Sequence, residues 1–344
     1  MNPIRVVQLG LGPIGQACVR ELCRRSAIEL VGGVDVDPAK AGRDLGEVCG
    51  LGTPLGTTVR ADLAGALAEW RPQVVVHTTQ SFLERIRGQL ETVLQAGAHV
   101  VSSSEELFYP CPRDIAGARD ATFCHEIDAL ARAHGVAVVG TGVNPGFVMD
   151  LLPLCLTGVC VEVEHLAVTR VVDAGKRRRP LQLKVGAGLS EAAFQERLAT
   201  GHFGHIGMRE SAIAVIDTLG WPIERIEGQI QPVIAEGPVQ TPYLTVAPGQ
   251  VAGLRQEMRV WGEGVERLAL ELQMYVGAPH SYDAVEVTGD PPLSMRIEGG
   301  VFGDTATIGA LVNTVPKVLA AAPGLRTMLD LPVPYAARRD VPPG

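Results

Sequence analysis

A glycine-rich turn between a short apolar run and a helix-like segment is the feature that most restricts how this chain can fold. The run is Ile4 to Leu9, and Gly10-Leu11-Gly12-Pro13-Ile14-Gly15 follows it directly. In such a turn the first glycine permits a sharp change of direction, the second lets the backbone approach a pyrophosphate, and the third lets helix and strand pack closely. The helix N-terminus adds free N–H groups and a positive dipole. The pattern predicts a dinucleotide-binding turn formed by Gly10, Gly12, Pro13, Ile14 and Gly15.

A carboxylate follows the next apolar run and strengthens the glycine motif, which is weak evidence alone. The run Ile28 to Val34 ends at Asp35, where a Rossmann unit places an acidic residue on the adenosine ribose. Asp35 and Asp37 are therefore predicted cofactor ligands, with the alternative that they only form a turn or a helix cap. Because Lys40 and Arg43 lie just beyond and could bind a 2′-phosphate, the cofactor is expected to be NAD or NADP.

Strand-like and helix-like segments continue to alternate through the first half of the chain. Buried runs begin at Val74, Val100 and Val136, with helical patterns between them. This alternation predicts a parallel sheet whose ligand lies at the carboxyl ends of the strands. The small or polar residues at those ends are Thr78, Thr79, Ser103, Ser104, Glu105, Glu106, Gly142 and Asn144.

Glu105 and Glu106 are the most chemically suggestive of these residues. One carboxylate beside a cofactor cleft could transfer protons in a reaction near neutral pH. The alternative is that both carboxylates only favour the start of a helix, whose dipole is positive there. The sequence pattern by itself leaves these two interpretations open.

The alternation of strand-like and helix-like segments ends after Pro153, where strand-like runs with short turns predict an antiparallel sheet. Ile308 to Ala321 then forms an amphipathic helical pattern, preceded by polar residues. The predicted fold class is α/β: an N-terminal Rossmann dinucleotide-binding domain (1–150), an α+β substrate and dimerisation domain (151–302), and a C-terminal segment (303–344) whose helix returns to the first domain.

Composition excludes some classes of partner. The net charge of −8 and the pI near 5.5 do not suit a nucleic-acid-binding surface, which needs clustered Lys and Arg. The apolar stretch 136–163 contains Asp150 and helix-breaking residues, so no membrane span is expected. The N-terminus lacks a signal-peptide pattern, and a cytoplasmic protein is expected. Seven cysteines without a C-x-x-C pair predict reduced thiols and no metal site.

The order of several further motifs resembles the 2,4-diaminopentanoate dehydrogenase family, which includes the native amine dehydrogenases and has a fold similar to dihydrodipicolinate reductase. The resemblance covers nearly the whole chain, and apart from the glycine turn its motifs are fairly specific. These motifs are Asp35-Val36-Asp37-Pro38, Ser104-Glu105-Glu106-Leu107, Gly140-Thr141-Gly142-Val143-Asn144-Pro145-Gly146-Phe147, Pro180-Leu181-Gln182, Gly204-His205-Ile206-Gly207 with Glu210-Ser211, and Gly303-Asp304-Thr305-Ala306-Thr307.

The resemblance implies reversible oxidative deamination of an amine with NAD or NADP, and reductive amination of a small ketone or aldehyde with ammonia in reverse. It also implies a catalytic glutamate in the E-E-L segment, and we prefer Glu106 to Glu105. A diamino acid substrate, held by Arg178 or Lys184, is the alternative, and a non-catalytic NAD(P)-binding sensor is the alternative of another class. An open sheet in the second half leads us to expect a homodimer.

The segment Gly140 to Phe147 is predicted to bring cofactor and substrate together. Gly142 and Asn144 are expected at the nicotinamide end. A small apolar pocket is expected for a neutral amine, with a polar contribution from a histidine in the glycine-rich segment that contains His202 and His205. The predicted pocket residues are Val143, Phe147, Phe203, His205 and Met208.

Overall fold

The chain divides into two compact units in a computed structural model that describes residues 2–113, 118–201 and 203–336. The N-terminal unit consists of Met1–Phe147 together with Phe302–Gly344, and the second unit is Val148–Val301. The C-terminal helix therefore belongs to the same unit as the glycine turn.

A parallel six-stranded sheet forms the centre of the N-terminal unit, with strand order β14-β5-β4-β3-β1-β2. All five ladders of this sheet are parallel. Val6, Val7, Val75 and Val100 are fully buried, as expected for short apolar strands covered on both faces. The predicted Rossmann architecture is confirmed. The strands are β1 (Ile4–Leu9), β2 (Ile28–Val34), β3 (Val74–His77), β4 (His99–Ser102), β5 (Ala137–Gly140) and β14 (Gly324–Arg326).

Helices cover this sheet, and the C-terminal helix is one of them. It packs against the first helix and against β3, β4 and β5, which confirms the predicted return to the first domain. It begins at Gly303 rather than Ile308, because Asp304 and its neighbours form the first turn, where a carboxylate suits the helix dipole. The helices, numbered along the chain, are α1 (Pro13–Leu22), α2 (Leu45–Val48), α3 (Leu63–Trp70), α4 (Leu83–Gln95), α5 (Ala121–Ala133) and α10 (Gly303–Val318).

The second unit contains a six-stranded sheet with the order β13-β12-β6-β11-β10-β7. Four of its ladders are antiparallel, but β6 and β11 are parallel. The expected antiparallel sheet is thus corrected to a mixed one. The reason is the long connection after β6, because parallel neighbours require a crossover rather than a hairpin. The strands are β6 (Glu162–Asp173), β7 (Arg225–Ile234), β10 (Val251–Gly262), β11 (Val265–Tyr275), β12 (Tyr282–Asp290) and β13 (Leu293–Glu298), with a small hairpin of β8 (Val239–Gln240) and β9 (Thr245–Val246).

One face of this sheet is packed against α9, which contacts β10 and β11. A buried ion pair joins neighbouring strands, with Arg170 Nη1 donating to Asp283 Oδ1 at 2.7 Å. Arg170 Nη2 also donates to the carbonyl of Val301 at 2.7 Å, so the charged group has hydrogen bonds on both sides. The helices of this unit are α6 (Leu151–Thr157), α7 (Arg179–Lys184), α8 (Glu191–Ala199) and α9 (Met208–Leu219).

The prediction that all cysteines are reduced is wrong for one pair. Cys111 and Cys124 form a disulfide, with their Cα atoms 5.8 Å apart. The spacing of cysteines along the chain could not indicate this pair, because the approach depends on how α5 packs beside the segment that follows β4. Within the part of the chain that the structure describes, no helix is long and apolar enough to cross a membrane.

Candidate functional site

The glycine turn has the steric properties that a phosphate-binding turn needs. Gly10 adopts φ +87°, and its N–H donates to the carbonyl of Val34 at 2.8 Å. A Cβ built on Gly15 would overlap the carbonyl oxygen of Gly10, so α1 lies against the turn as closely as a glycine permits. By contrast, a Cβ on Gly12 would have no neighbour within 4 Å. The turn is tight at its first and third glycines and open at its second.

The N-terminus of α1 faces this turn without a side-chain cap. Gly12 is its N-cap residue, no side chain of the described residues caps its first N–H groups, and Pro13 occupies the first turn. A helix leaves its first N–H groups without partners inside the helix. Ile14 and Gly15 therefore supply backbone donors beside the open position at Gly12, and this arrangement suits an anion.

Asp35 links the end of β2 to the glycine turn. Its Oδ2 accepts the N–H of Leu11 at 2.6 Å, and its Oδ1 accepts the N–H of Asp37 at 2.9 Å. Lys40 Nζ lies 3.1 Å from Asp35 and 3.1 Å from Asp37. Burial disfavours the ammonium, but hydrogen bonds to the two carboxylates outweigh it and raise the pKa of Lys40. The predicted pair Asp35 and Asp37 thus shares one cation.

Thr78 joins the glycine turn to the end of β3. Its hydroxyl donates to the carbonyl of Gly10 at 2.9 Å and accepts from Gln8 Nε2 at 2.8 Å. Gln8 is fully buried within β1. The sequence analysis did not select it, although a glutamine inside an otherwise apolar strand was a usable signal, because buried polar side chains need hydrogen-bond partners.

A second residue that the sequence analysis missed is His77, the last residue of β3. It is fully buried, and burial lowers the pKa of its imidazole to about 4, so the ring is neutral. His77 Nδ1 lies 2.7 Å from Ser102 Oγ, and His77 Nε2 lies 2.7 Å from Thr79 Oγ1 and 2.8 Å from Gln89 Oε1. The signal was a histidine at the end of a run of three valines.

The two glutamates after β4 have different surroundings. Glu106 is 6% exposed; its Oε2 accepts the N–H of Leu83, the first residue of α4, at 2.9 Å. Its Oε1 lies 3.2 Å from Arg119 Nη1. Glu105 is half-buried, and no hydrogen bond or ion pair joins its carboxylate to the residues that the structure describes. Both residues start a 3₁₀ turn, Glu105–Leu107, for which Ser104 is the N-cap residue.

The segment after β5 turns sharply through glycines. Gly146 adopts φ +127°, and the Asn144–Pro145 peptide bond is cis. A Cβ on Gly146 would overlap the backbone nitrogen of Gly142, and one on Gly142 would come within 4.0 Å of the Thr307 hydroxyl in α10. Asn144 is buried. Val143 and Phe147 are half-buried, so the predicted pocket residues of this segment keep part of their apolar surface open.

The other predicted pocket residues lie in the second unit. The rings of Phe203 and Phe194 meet edge to face, with centroids 4.9 Å apart. Gln256 holds the backbone of His205, accepting its N–H at 2.8 Å and donating to its carbonyl at 3.1 Å. Met208 is only 1% exposed. His202 lies outside the described residues.

The predicted site residues therefore fall into two groups, one in each unit. The predicted catalytic and cofactor residues, with Val143 and Phe147, belong to the N-terminal unit, and the remaining pocket residues belong to the second unit. Among residues 2–113, 118–201 and 203–336, no group of three or more His, Cys, Asp or Glu side chains could hold a metal ion.

Comparisons with known proteins agree on one family, and the similar proteins match nearly the whole chain. The model of the 2,4-diaminopentanoate dehydrogenase C-terminal domain matches residues 147–343. A 2,4-diaminopentanoate dehydrogenase from Acetoanaerobium sticklandii is 29% identical over 361 residues, which cover 99% of this chain and 96% of the relative. An amine dehydrogenase from Streptomyces virginiae is 24% identical and covers 98% of each chain. The structure of an amine dehydrogenase from Mycobacterium smegmatis superposes with a TM-score of 0.84 at 26% identity, covering 97% of both chains.

Proposed function

The chain belongs to the 2,4-diaminopentanoate dehydrogenase family, and from this premise we propose that it is an NAD(P)-dependent dehydrogenase of primary amines. It oxidatively deaminates an amine carbon, and in the reverse direction it reductively aminates a small ketone or aldehyde with ammonia. The observation that carries the proposal is the half-buried Glu105 at the carboxyl end of β4, whose carboxylate has no hydrogen bond or ion pair to the described residues, in the same unit as a glycine turn that fits a dinucleotide.

The residues of the N-terminal unit fit the cofactor. We assign the diphosphate to the open position at Gly12 and to the first-turn N–H groups of Ile14 and Gly15. Asp35, with Asp37 and Lys40, is assigned to the adenosine ribose. When bound there, the nicotinamide supplies a hydride acceptor or donor. Other proposed cofactor contacts are Gly10, Pro13, Thr78, Thr79, Ser104, Gly142 and Asn144.

We assign proton transfer to Glu105 and a structural role to Glu106, which reverses our preference from the sequence. The Glu106 carboxylate is already engaged by Leu83 and Arg119. A group that accepts and releases protons must be able to reach the reacting atoms, and the Glu105 carboxylate keeps this freedom. It takes a proton from the substrate ammonium and releases it to solvent before hydride transfer. The deprotonated carboxylate then takes a proton from the water that attacks the iminium carbon, and returns it to the amino group, which leaves as ammonia.

The proposed substrate is a small primary amine, with a diamino acid as the alternative. Val143, Phe147, Phe203, His205 and Met208 stay the proposed substrate contacts, and their mostly apolar side chains favour a neutral amine. The diamino acid needs a cation for its carboxylate, and our candidates from the sequence, Arg178 and Lys184, are both exposed. This exposure favours the simple amine.

The first experiment compares 2,4-diaminopentanoate with simple alkylamines in one assay of NADH or NADPH formation. We expect turnover of at least one amine, with a loss of about 10²- to 10⁴-fold for Glu105→Gln and a much smaller loss for Glu106→Gln. Cofactor binding without turnover of any amine would instead favour a non-catalytic sensor. Near-normal turnover of Glu105→Gln would remove Glu105 from the mechanism.

We also propose a homodimer and a cytoplasmic location. The edge strands β13 and β7 of the second sheet could pair across a two-fold axis, and a monomeric mass in light scattering would refute this. The free thiols of Cys18, Cys23, Cys49, Cys155 and Cys160 suit a reducing compartment. The Cys111–Cys124 disulfide instead favours an oxidising compartment. Fractionation of the native cells distinguishes the two locations.

A further inference from the structure

The buried imidazole of His77 has a defined hydrogen-bonding direction. Thr79 Oγ1 donates to Gln89 Oε1 at 2.7 Å, so both oxygen atoms near His77 Nε2 act as acceptors. The Nε2 atom must then carry the ring proton, and Nδ1 must accept. Ser102 Oγ is the donor to Nδ1, at 2.7 Å. The ring therefore receives a hydrogen bond on its Nδ1 side and donates on its Nε2 side.

The Nδ1 side leads to the proposed catalytic segment. Ser102 Oγ, while donating to His77, accepts the N–H of Ser104 at 3.1 Å. Ser104 is the N-cap residue of the Glu105–Leu107 turn, and its carbonyl accepts the N–H of Leu107 at 3.1 Å. Two hydrogen bonds thus connect the imidazole to the backbone residue immediately before Glu105.

The Nε2 side leads to the loop after β3 and to α4. It contacts Thr79, in the loop after β3, and Gln89, in the middle of α4. This loop meets the turn farther along the chain, where the carbonyl of Ser81 accepts from Ser104 Oγ at 3.0 Å and from the N–H of Glu106 at 3.2 Å. The Nε2 contacts hold the helix and the loop, whereas the Nδ1 contacts hold the turn itself. The two sides of one ring can therefore be separated experimentally.

We propose that His77 is a positioning residue for the proposed amine dehydrogenase reaction, holding the Glu105 carboxylate in its working place through Ser102 and the N–H of Ser104. The inference rests on the proposed function. Catalytic groups must be held close to their productive geometry, and a displacement of about 1 Å costs up to about 100-fold in rate. His77 acts through the backbone and does not touch the reacting atoms.

Two substitutions test the hydrogen bonds of the two ring nitrogens separately. In His77→Asn the side-chain oxygen can take the place of Nδ1, so the bond from Ser102 is kept and the Nε2 contacts are lost. In His77→Gln the longer amide can reach Thr79 and Gln89, but the bond from Ser102 is lost. We expect His77→Gln to lower kcat by about 10- to 100-fold, with the Kd of NADH and the KM of the amine within about threefold of the wild type. His77→Asn should keep kcat within about threefold of the wild type.

A role in packing alone predicts the opposite order. Asparagine leaves the larger cavity, and larger cavities destabilise more. A lower kcat for His77→Asn than for His77→Gln, or equal values for the two, would overturn the inference. Ser102→Ala removes the same link with little change of volume and should lower kcat as much as His77→Gln. A wild-type kcat in Ser102→Ala would also overturn the inference, even if neither His77 variant folds.

Amide hydrogen exchange supplies a readout that does not depend on turnover. His77→Gln and Ser102→Ala should speed exchange at Ser104 and Leu107, whereas His77→Asn should not. If the wild-type protein oxidises no amine, the proposed function fails, and exchange still tests the contact. If the wild type is active but exchange at these two amides is the same in all variants, the positioning role fails alone.

Discussion

The carboxylate of Glu106 accepts the backbone N–H of Leu83 at 2.9 Å and so caps α4 from outside the helix. The second carboxylate oxygen is close to Arg119, and the side chain is almost entirely buried. Its neighbour Glu105 has neither constraint. One residue of the pair therefore stabilises the fold, and the other is available for chemistry.

We expect Glu106→Ala to lower the free energy of unfolding by about 1 to 3 kcal/mol, because the buried carboxylate that accepts from the N-terminus of α4 is lost together with its ion pair to the exposed Arg119. Glu105→Ala is the matched control and should change the free energy of unfolding by no more than about 0.5 kcal/mol. Urea denaturation of both variants measures the difference. Equal stabilities would contradict the division of roles.

Gly12→Ala should weaken NADH binding about tenfold, because the added Cβ meets no protein atom and would enter the space assigned to the diphosphate. The melting temperature should fall only slightly, because alanine is a poorer N-cap residue than glycine. Gly15→Ala should disturb the fold itself, since its Cβ overlaps the Gly10 carbonyl. Gly88→Ala, on the exposed face of α4, also meets nothing within 4 Å and is the control. It should raise stability and leave the Kd of NADH unchanged. If Gly88→Ala weakened NADH binding as much as Gly12→Ala does, the assignment of the diphosphate to Gly12 would be wrong.

Asp35→Asn should shift cofactor preference toward NADPH by about tenfold in the ratio of the two Kd values. The amide oxygen can still accept from Leu11, but Lys40 loses one of its two carboxylate partners and can bind a 2′-phosphate. Asp37→Asn, whose side chain is more exposed than that of Asp35, should have the smaller effect. Titration of each variant with NADH and NADPH checks this, and an unchanged ratio in Asp35→Asn would show that Asp35 does not contact the ribose.

Acid should destabilise the protein through His77. Its pKa is about 4 in the folded state against 6.5 as the reference value, so the unfolded state binds more protons between these limits. The contribution of His77 is fully present above pH 6.5 and is lost as the pH falls through this window. Between pH 7 and pH 5 the loss is about 2 kcal/mol.

The control for this pH effect is His77→Asn, which has no titrating group at this position. The wild type should lose about 2 kcal/mol more than the variant between pH 7 and pH 5 in urea denaturation. The pKa of His99 is also lowered by burial, but His99 is present in both proteins, and its contribution cancels. Parallel pH profiles would show that His77 is not buried in the neutral form.

The Rossmann unit was predictable because its signals are local. The runs at Ile4 and Ile28 gave strands with the predicted bounds, since a short apolar run before a turn has few alternatives to a buried strand. The requirements for glycine at positions 10 and 15 are also set within a short stretch of backbone. Family resemblance supplied the activity, which neither composition nor periodicity could provide.

Other features depended on contacts between distant segments. The parallel β6–β11 ladder and the Cys111–Cys124 disulfide join parts of the chain whose approach leaves no local pattern. Glu105 and Glu106 are adjacent and chemically identical, so only their surroundings could distinguish them. The same holds for His77, whose hydrogen bonds are made with Ser102 and Gln89, which lie far from it in the sequence.

By itself the sequence determined the first strands and the glycine turn of this protein, and that its first unit can hold a dinucleotide, because backbone sterics and apolar burial act over a few residues. Only the tertiary structure decided which carboxylate is engaged and which is free, and which side of His77 connects to the turn of Glu105. Hydrogen bonds and burial are properties of atoms that meet in space, and residues far apart in the chain supply most of them.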